Sequence, residues 1–364
     1  MYVQPRADLQ NVVPCYHGSL SHQEREALAL DGDVRSNSIV DFSVNTNPLG
    51  PSPLVKSIPA EVDVHRYPDT EAILLRQALG ERLGVGIDNV VVGNGSVELI
   101  WHICLAYLSH EDRALVLGPT FGEYEAASRI MGAEVVEYRS SESDGFKPQL
   151  ENVLRAIDER QPKLVFVCNP NNPTGYYFGR EETLRLIAGA ERSLVVVDEA
   201  YAGFADGRWP SEDLIRQPNV VLLRSMTKDY ALAGLRIGYA LADAAVVDVI
   251  EKVRPPWSTN ALAQRAGIVS LQDEEHLARS RVEVGRAKEY LASALADLGL
   301  RPLPSRANFF LLKIGDGTAF RSKLLRKGFC VRDCGSFGLP DYVRIGVRTE
   351  AECRQLVAAI AEVL

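Results

Sequence analysis

A chain of 364 residues, 46% hydrophobic and 24% charged, has the composition of a folded globular protein and is long enough for a large domain plus a smaller one. Its net charge of -8 speaks against a nucleic-acid surface, which needs a basic face, and it carries no low-complexity tract or internal repeat. Its longest apolar stretch, LIWHICLAYL at 99–108, is too short to cross a bilayer, and MYVQPRADLQ lacks the layout of a signal peptide, so no membrane association and a cytoplasmic location are expected.

Residues 1–40 show poor periodicity and read as an arm that joins a smaller domain or reaches a partner subunit. From Val90 onward, VVVG (90–93), ALVLG (114–118), VVEY (135–138), LVFV (164–167), LVVVD (194–198) and VVLLR (220–224) read as strands. Helical stretches alternate with them, among them those near 148–157 and 181–190. Continuous Val/Leu runs mark strands buried on both faces, and the alternation marks βαβ units, so an α/β fold with a mostly parallel sheet is expected. Pro255-Pro256 and the helix-rich stretch 259–299 mark the exit from it. NFFLLKI (308–314), FCVR (329–332) and YVRIGV (342–347) read as strands, with helices at 318–327 and 350–363. Thr349 with Glu352 forms a capping-box pattern for the last helix, whose Cys353, Leu356, Ile360 and Val363 are packing positions. The expected division is an arm (1–40), a large domain (41–257), and an interdomain helix with a small C-terminal domain (258–364). Six cysteines in a chain of this size do not suggest a disulfide scaffold, and Cys330 and Cys334 read as strand-end thiols. The histidines at 22, 65, 102, 110 and 276 lack metal-ligand spacing, so no metal is expected.

Open α/β sheets bind ligands at the carboxyl ends of their strands, and four such ends here carry unusual residues. Gly93-Asn94-Gly95-Ser96 opens a helix, where glycines and free N–H groups suit an anion; with Glu98 where a third glycine would stand, it is no dinucleotide fingerprint. Asn169-Pro170-Asn171-Asn172-Pro173-Thr174-Gly175 is longer than a turn requires. Asp198, closing LVVV, is a carboxylate that must be paired or neutralised, unless it merely caps the next segment. Lys228 in SMTK stands at the mouth of a buried strand, where desolvating an ammonium needs a reason. Pyridoxal phosphate combines these demands: a lysine for its aldehyde, a carboxylate for its ring nitrogen, and N–H groups with an arginine for its phosphate.

In NPNNPTG, DEAY, SMTK and AGLRIGY, at these spacings, the chain resembles the fold-type-I aminotransferases of class I/II. Within them it is similar to the branch holding histidinol-phosphate aminotransferase and the threonine-phosphate decarboxylase of cobalamin biosynthesis. DFSVNTNPLG (41–50), RYPD (66–69), GNGSVELI (93–100), PTFGEYE (119–125), PPWSTNALA (255–263), SRANFFLL (305–312) and RDCGSF with YVRIGVR (332–348) extend the resemblance over nearly the whole chain. It implies the pyridoxal-phosphate-dependent transferase fold, with a smaller α+β domain built from the N-terminal arm and the C-terminal segment. It also implies roles. Lys228 is the Schiff-base lysine, Asp198 pairs with the pyridinium nitrogen, and Tyr201 and Asn172 hydrogen-bond the phenolic oxygen. Phe121 stacks on the cofactor ring, and Gly95, Ser96, Ser225 and Arg236 surround the phosphate. Tyr67 reaches the phosphate of the neighbouring subunit, which makes the active unit a homodimer. Arg344 clamps the substrate carboxylate bidentately. Arg332 is either a second anion contact or half of a surface ion pair, and Asn47 either lines the substrate pocket or serves as a turn asparagine.

The reaction implied is transfer of an amino group from an amino acid or amino-alcohol phosphate to a 2-oxo acid, with Lys228 as general base. The alternative is decarboxylation of threonine phosphate, for which PTFGEYE, PPWSTNALA and RDC with YVRIGVR speak. ALAGLR, and HGSL at 17–20 in place of the decarboxylase's HGGN, speak for the aminotransferase. A non-catalytic cofactor-binding regulator would carry a DNA-binding helix pair, and the first 40 residues hold no basic cluster. His17 reads as a substrate contact or a structural histidine, Arg224 as a strand-end salt bridge. Asp229 either tunes the lysine, binds a cationic substrate or faces solvent.

Overall fold

The computed structural model describes residues 39–364 throughout and, before them, residues 3, 4, 6, 9, 12, 14, 15, 18, 20, 21, 23, 24 and 26. His17, His22 and most of the proposed arm therefore lie outside the described residues.

Seven strands form the central sheet: β2 (Val90–Gly93), β3 (Arg113–Gly118), β4 (Glu134–Arg139), β5 (Leu164–Cys168), β6 (Leu194–Asp198), β7 (Val220–Ser225) and β8 (Gly238–Ala242). Their order is β2-β8-β7-β6-β5-β3-β4. All run in one direction except β8, which is antiparallel to both neighbours. Every residue of β2, β5, β6, β7 and β8 is buried, as the unbroken apolar runs of β2, β5, β6 and β7 require of strands covered on both faces. Alternation sorts them between two cores. Val165, Val167, Val195 and Val197 pack with Leu75, Leu79, Ile187 and Ala266 from the helices of one face. Leu164, Phe166 and Val196 pack with Leu99, Ile103 and Ile250 from those of the other.

Strand β8 is absent from the pattern read in the sequence. A parallel crossover needs a helix to carry the chain back across the sheet. Residues 226–237, between β7 and β8, form only turns, so the chain doubles back and pairs antiparallel. Gly238, which opens β8, lets the helix Ser96–Tyr107 touch the sheet. A Cβ there would fall 2.5 Å from Ser96 N, 2.9 Å from Gly95 C and 3.0 Å from Arg224 O, all main-chain atoms.

The C-terminal segment builds a second layer. Strands β9 (Phe309–Lys313), β11 (Arg332–Asp333) and β12 (Tyr342–Gly346) form an antiparallel sheet in the order β11-β12-β9, while β1 (Val40–Asp41) pairs in parallel with β10 (Phe329–Cys330). The run expected as one strand over 329–332 is thus split between two partners. Helices Glu274–Asp297 and Glu350–Val363 bury Val284, Ala287, Leu291, Leu295, Cys353, Leu356 and Ile360 in the core of this layer. The capping box is formed: Thr349 Oγ1 accepts from Glu352 N, and Thr349 N donates to Glu352 Oε2. Cys330 and Cys334 are buried free thiols. Among the described residues, no helix is long and apolar enough to cross a membrane, and no three His, Cys, Asp or Glu side chains are grouped to hold a metal ion.

Gly238→Ala is expected to lower stability by about 1–3 kcal/mol, because overpacking here displaces backbone rather than a side chain. Urea unfolding of wild type and variant measures it; unchanged stability would mean that the helix start yields without cost.

Candidate active site

The carboxyl ends of β2, β3, β5, β6 and β7 open on one cavity of about 420 Å³, closed on the far side by Ser43, Asn45, Arg332 and Arg344. Asp198 is the last residue of β6, and the strand's alternation turns its side chain into the cavity wall and that of Glu199 away from it. Both Asp198 oxygens are engaged. Tyr124 OH donates to Oδ2 at 2.7 Å and Ala200 N to Oδ1 at 3.0 Å. Burial nonetheless pushes its carboxyl up to about 6, against the pull of those hydrogen bonds. Glu199 instead binds Arg224 Nε at 2.8 Å, and Arg224 also reaches Glu212 Oε1 and Ser211 Oγ, both at 2.9 Å. This buried network locks the ends of β6 and β7 together from behind, as the strand-end reading of Arg224 expected.

Lys228 follows β7 by three residues. Its Nζ lies 5.8 Å from the Tyr201 ring centre. Burial and the Arg344 and Arg236 guanidiniums lower its pKa to about 8, with Asp198 opposing. A lysine so placed is partly neutral near pH 8, as a nucleophile or base must be.

At one end of the cavity, Gly95 (φ +83°) leads into the helix Ser96–Tyr107. A Cβ on Gly95 would come 2.5 Å from Arg236 Nη2, so the guanidinium lies against bare backbone. Ser96, Ser225 and Thr227 line the same end, with Ser225 Oγ 2.7 Å from Thr227 Oγ1. Hydroxyls, a helix N-terminus and an arginine around a glycine make a fit for a phosphate group. Phe121 lines the wall edge-on to Tyr124, which in turn stacks on Phe166.

At the other end, Arg332 and Arg344 stand directly opposite each other across β11 and β12. Both are buried. Arg332 Nη2 donates to Ser336 Oγ at 2.6 Å, and its guanidinium lies over Phe337. Arg344 Nη1 donates to Asn172 Oδ1 and Nη2 to the Ser43 carbonyl at 2.6 Å, and its buried Nε has no partner among the described residues. Its hydrogen-bonding partners are neutral. Asn172, its Oδ1 occupied by Arg344, keeps its amide N–H groups as donors. From the arm, Gly18 packs on Arg332, where a Cβ would overlap the guanidinium, and Cys15 Sγ lies against Gly122.

Two candidates lie elsewhere. Asn47 is not in the cavity wall: its Nδ2 donates to the Asp229 carbonyl at 2.9 Å and Ser280 Oγ at 2.8 Å, and its Oδ1 accepts from Leu49 N. Of the two readings of this asparagine, the pocket-lining one is set aside. Tyr67 is 79% exposed and stacked on Trp257, outside the cavity. Asp229 does not line the cavity; its half-buried side chain packs against Gly203 in a separate pocket that Arg208 and Arg281 also line. The sequence reading missed Tyr124, Asn45, Thr227 and Ser336. Only Tyr124 had a local signal, three residues after Phe121 and on the same turn of chain.

The model of the family described as aminotransferase class I and II matches residues 37–360. Histidinol-phosphate aminotransferase of Symbiobacterium thermophilum is 39% identical over 90% of this chain and 91% of that protein. Among solved structures, histidinol-phosphate aminotransferase of Sinorhizobium meliloti in complex with pyridoxal-5'-phosphate superposes with a TM-score of 0.88 at 26% identity, covering 100% of this chain and 98% of that one. L-threonine-O-3-phosphate decarboxylase of Porphyromonas gingivalis gives 0.79 at 29% identity, covering 89% and 99%.

Asp198 carries a pH signature. Its pKa in the fold, about 6, lies above the ordinary 3.8, so the folded chain binds more protons than the unfolded one between those values. Stability of the cofactor-free protein should therefore fall as pH rises from about 4 to 6, by up to about 3 kcal/mol from this group. Asp198→Asn is expected to remove this group's share of the slope and leave that of Asp229, whose carboxyl is also pushed up to about 6; urea unfolding across pH 4–8 measures it, and an unchanged slope would place the titration elsewhere.

Proposed function

The chain belongs to the class I and II aminotransferases, and from that premise we propose that it exchanges an amino group between histidinol phosphate and a 2-oxo acid such as 2-oxoglutarate. It is an enzyme dependent on pyridoxal 5'-phosphate, a group that would bind through a lysine amine and would supply an electron sink for bond breaking at the substrate's Cα. Lys228 would carry the cofactor, and Asp198 would hold the charge of its protonated ring nitrogen. Gly95, Ser96, Ser225 and Arg236 would hold its phosphate, Asn172 and Tyr201 its phenolic oxygen, and Phe121 its ring face.

Lys228 Nζ, kept from full protonation by burial and two cations, takes the proton from the donor's Cα and returns it on the far side of the exchange. Arg344 fixes the substrate's orientation. Among the described residues its buried guanidinium is held by neutral acceptors and its Nε has no partner, and that unneutralised buried charge is the observation that carries this reading. A buried guanidinium without a charged partner calls for an anion. A phosphate on one substrate and the carboxylates of the other both answer this demand. Asp229 presents no obstacle to a phosphorylated substrate, since its carboxyl is turned out of the cavity.

The decarboxylase reading draws on the likeness to the Porphyromonas gingivalis enzyme, because the same two arginines suit a carboxylate and a phosphate on one molecule. Which bond would break depends on how Arg344 and Arg332 would orient the substrate's carboxylate. Relatives near 39% identity that bear the aminotransferase name favour loss of the Cα proton.

The active unit in this proposal is a homodimer in which Tyr67 reaches across to the partner's phosphate site. Leu49, Leu54, Val64, Tyr67 and Leu74, all large, apolar and exposed, fall within one stretch of chain, as an interface requires. The division at 1–40, 41–257 and 258–364 is proposed as well, supported by the confinement of the large sheet to 90–242 and the antiparallel sheet to 309–346.

Histidinol phosphate with 2-oxoglutarate should yield glutamate, and threonine phosphate alone should yield no CO2; the reverse result would replace transamination by decarboxylation. Arg332→Gln should raise KM for the phosphorylated donor by about tenfold or more, the worth of a charge-assisted hydrogen bond. Equilibrium sedimentation should return about twice 40.0 kDa, and full activity at the monomer mass would remove Tyr67 from the site.

A further inference from the structure

The lysine turn is gripped from outside the cavity by a single residue, through its main-chain N–H and its side-chain amide. Asn47 N donates to the Lys228 carbonyl at 2.8 Å, and Asn47 Nδ2 donates to the Asp229 carbonyl at 2.9 Å. The same amide reaches Ser280 Oγ at 2.8 Å, and Ser280 Oγ donates to the His276 carbonyl, so the grip is anchored on the helix Glu274–Asp297. Gly50 O contacts His276 Nε2 at 2.9 Å, and Ser52 Oγ donates to Asp273 Oδ2, which ties the following residues to the start of that helix. Four residues before Asn47, the Ser43 carbonyl accepts from Arg344 Nη2, and Gly346 N donates to the Phe42 carbonyl. One strap, residues 42–52, therefore holds the lysine turn, the arginine strand and the long helix at fixed separations. Asn47 is buried, and every polar atom of its side chain is used within this strap and its anchors.

We propose that Asn47 is a positioning residue of the reaction: by clamping the two carbonyls of the Lys228–Asp229 turn, it sets where the lysine amine stands relative to Arg344. This rests on the aminotransferase reading and assigns to it a residue that touches neither substrate nor cofactor. Around the amine stand Arg344, Arg236, Asp198 and Tyr201. If the turn slackens, the amine moves away from the two guanidiniums and binds its proton more readily. Loss of the amide also leaves the Asp229 carbonyl and Ser280 Oγ without this donor.

Asn47→Leu, close in shape, keeps the main-chain bond to the Lys228 carbonyl and removes the side-chain bonds to the Asp229 carbonyl and Ser280, which tests this in the cofactor-loaded enzyme, with Ser280→Ala as the variant that cuts only the anchor on the helix. Three quantities decide: the pH midpoint of the visible absorbance given by the lysine-bound cofactor, the split between kcat and KM, and the thermal midpoint. Asn47→Leu should move the absorbance midpoint upward by about half a pH unit or more and lower kcat about tenfold, with KM changed less than about twofold. Ser280→Ala should lower the thermal midpoint and leave the absorbance midpoint in place. An Asn47→Leu enzyme that loses only thermal stability would overturn the proposal. Should that variant not fold, Asn47→Asp, of the same shape, is judged on the same three quantities. Absence of both the visible band and turnover in the wild type would bring down the functional reading itself, whereas a normal wild type with an indifferent Asn47 variant defeats this inference alone.

Discussion

Taking an ammonium and a carboxylate out of water within one cavity is the constraint on which the rest of the molecule depends. Neither Lys228 nor Asp198 would stay there for stability's sake, since burial pushes the pKa of each toward its neutral form. The fold answers with rigidity. Strands covered on both faces deliver side chains from adjacent ends in fixed register, Cys168 beside Asp198 and Asp198 beside Leu223. Behind them, the Arg224–Glu199–Glu212 network satisfies a second set of buried charges and prevents the same ends from splaying. Alternation along β6 thus divides two neighbouring acids between two tasks, one facing the cavity and one bracing it.

The cavity is electrostatically graded. One end offers a helix start, hydroxyls and Arg236; the other offers Arg332 and Arg344, and among the described residues Asp198 is the one carboxylate in its wall. A small molecule with an anionic group at each end would find the amine of Lys228 beside its middle. This arrangement needs contributions from residues hundreds of positions apart in the chain, and the strap at 42–52 spans the two layers that supply them.

Much of this was legible in the sequence, for a definite reason. Asp198, Lys228, Asn172, Gly95 and Arg236 sit next to long apolar runs, where polar or flexible residues are conspicuous and the strand end fixes their place. What escaped depends on contacts that no local pattern encodes. Asn47 bonds to a carbonyl 182 residues away, and Tyr124 to a carboxylate 74 residues away. The reversed strand β8 escaped because an apolar run does not state its direction; only the lack of a helix in 226–237 does. Asp229 shares a peptide bond with Lys228, yet its side chain leaves the turn on the opposite side, which adjacency in sequence does not reveal.

The pairing of Arg332 with Arg344 has a bearing on how the protein can diverge. Directly opposed residues in an antiparallel pair project from the same face, so a slip of one position in the two-residue β11 would turn Arg332 away from the cavity while Arg344 stayed. Residues 334–341 join the two strands and carry Ser336 and Phe337, which hold the Arg332 guanidinium. Changes of residue type in that loop, at constant length, would retune how the Arg332 guanidinium is held while both cations remained. Changes of length would put the register itself at risk. The placement of this cation can thus drift along the loop by substitution, whereas insertions and deletions there face a barrier set by the pleat.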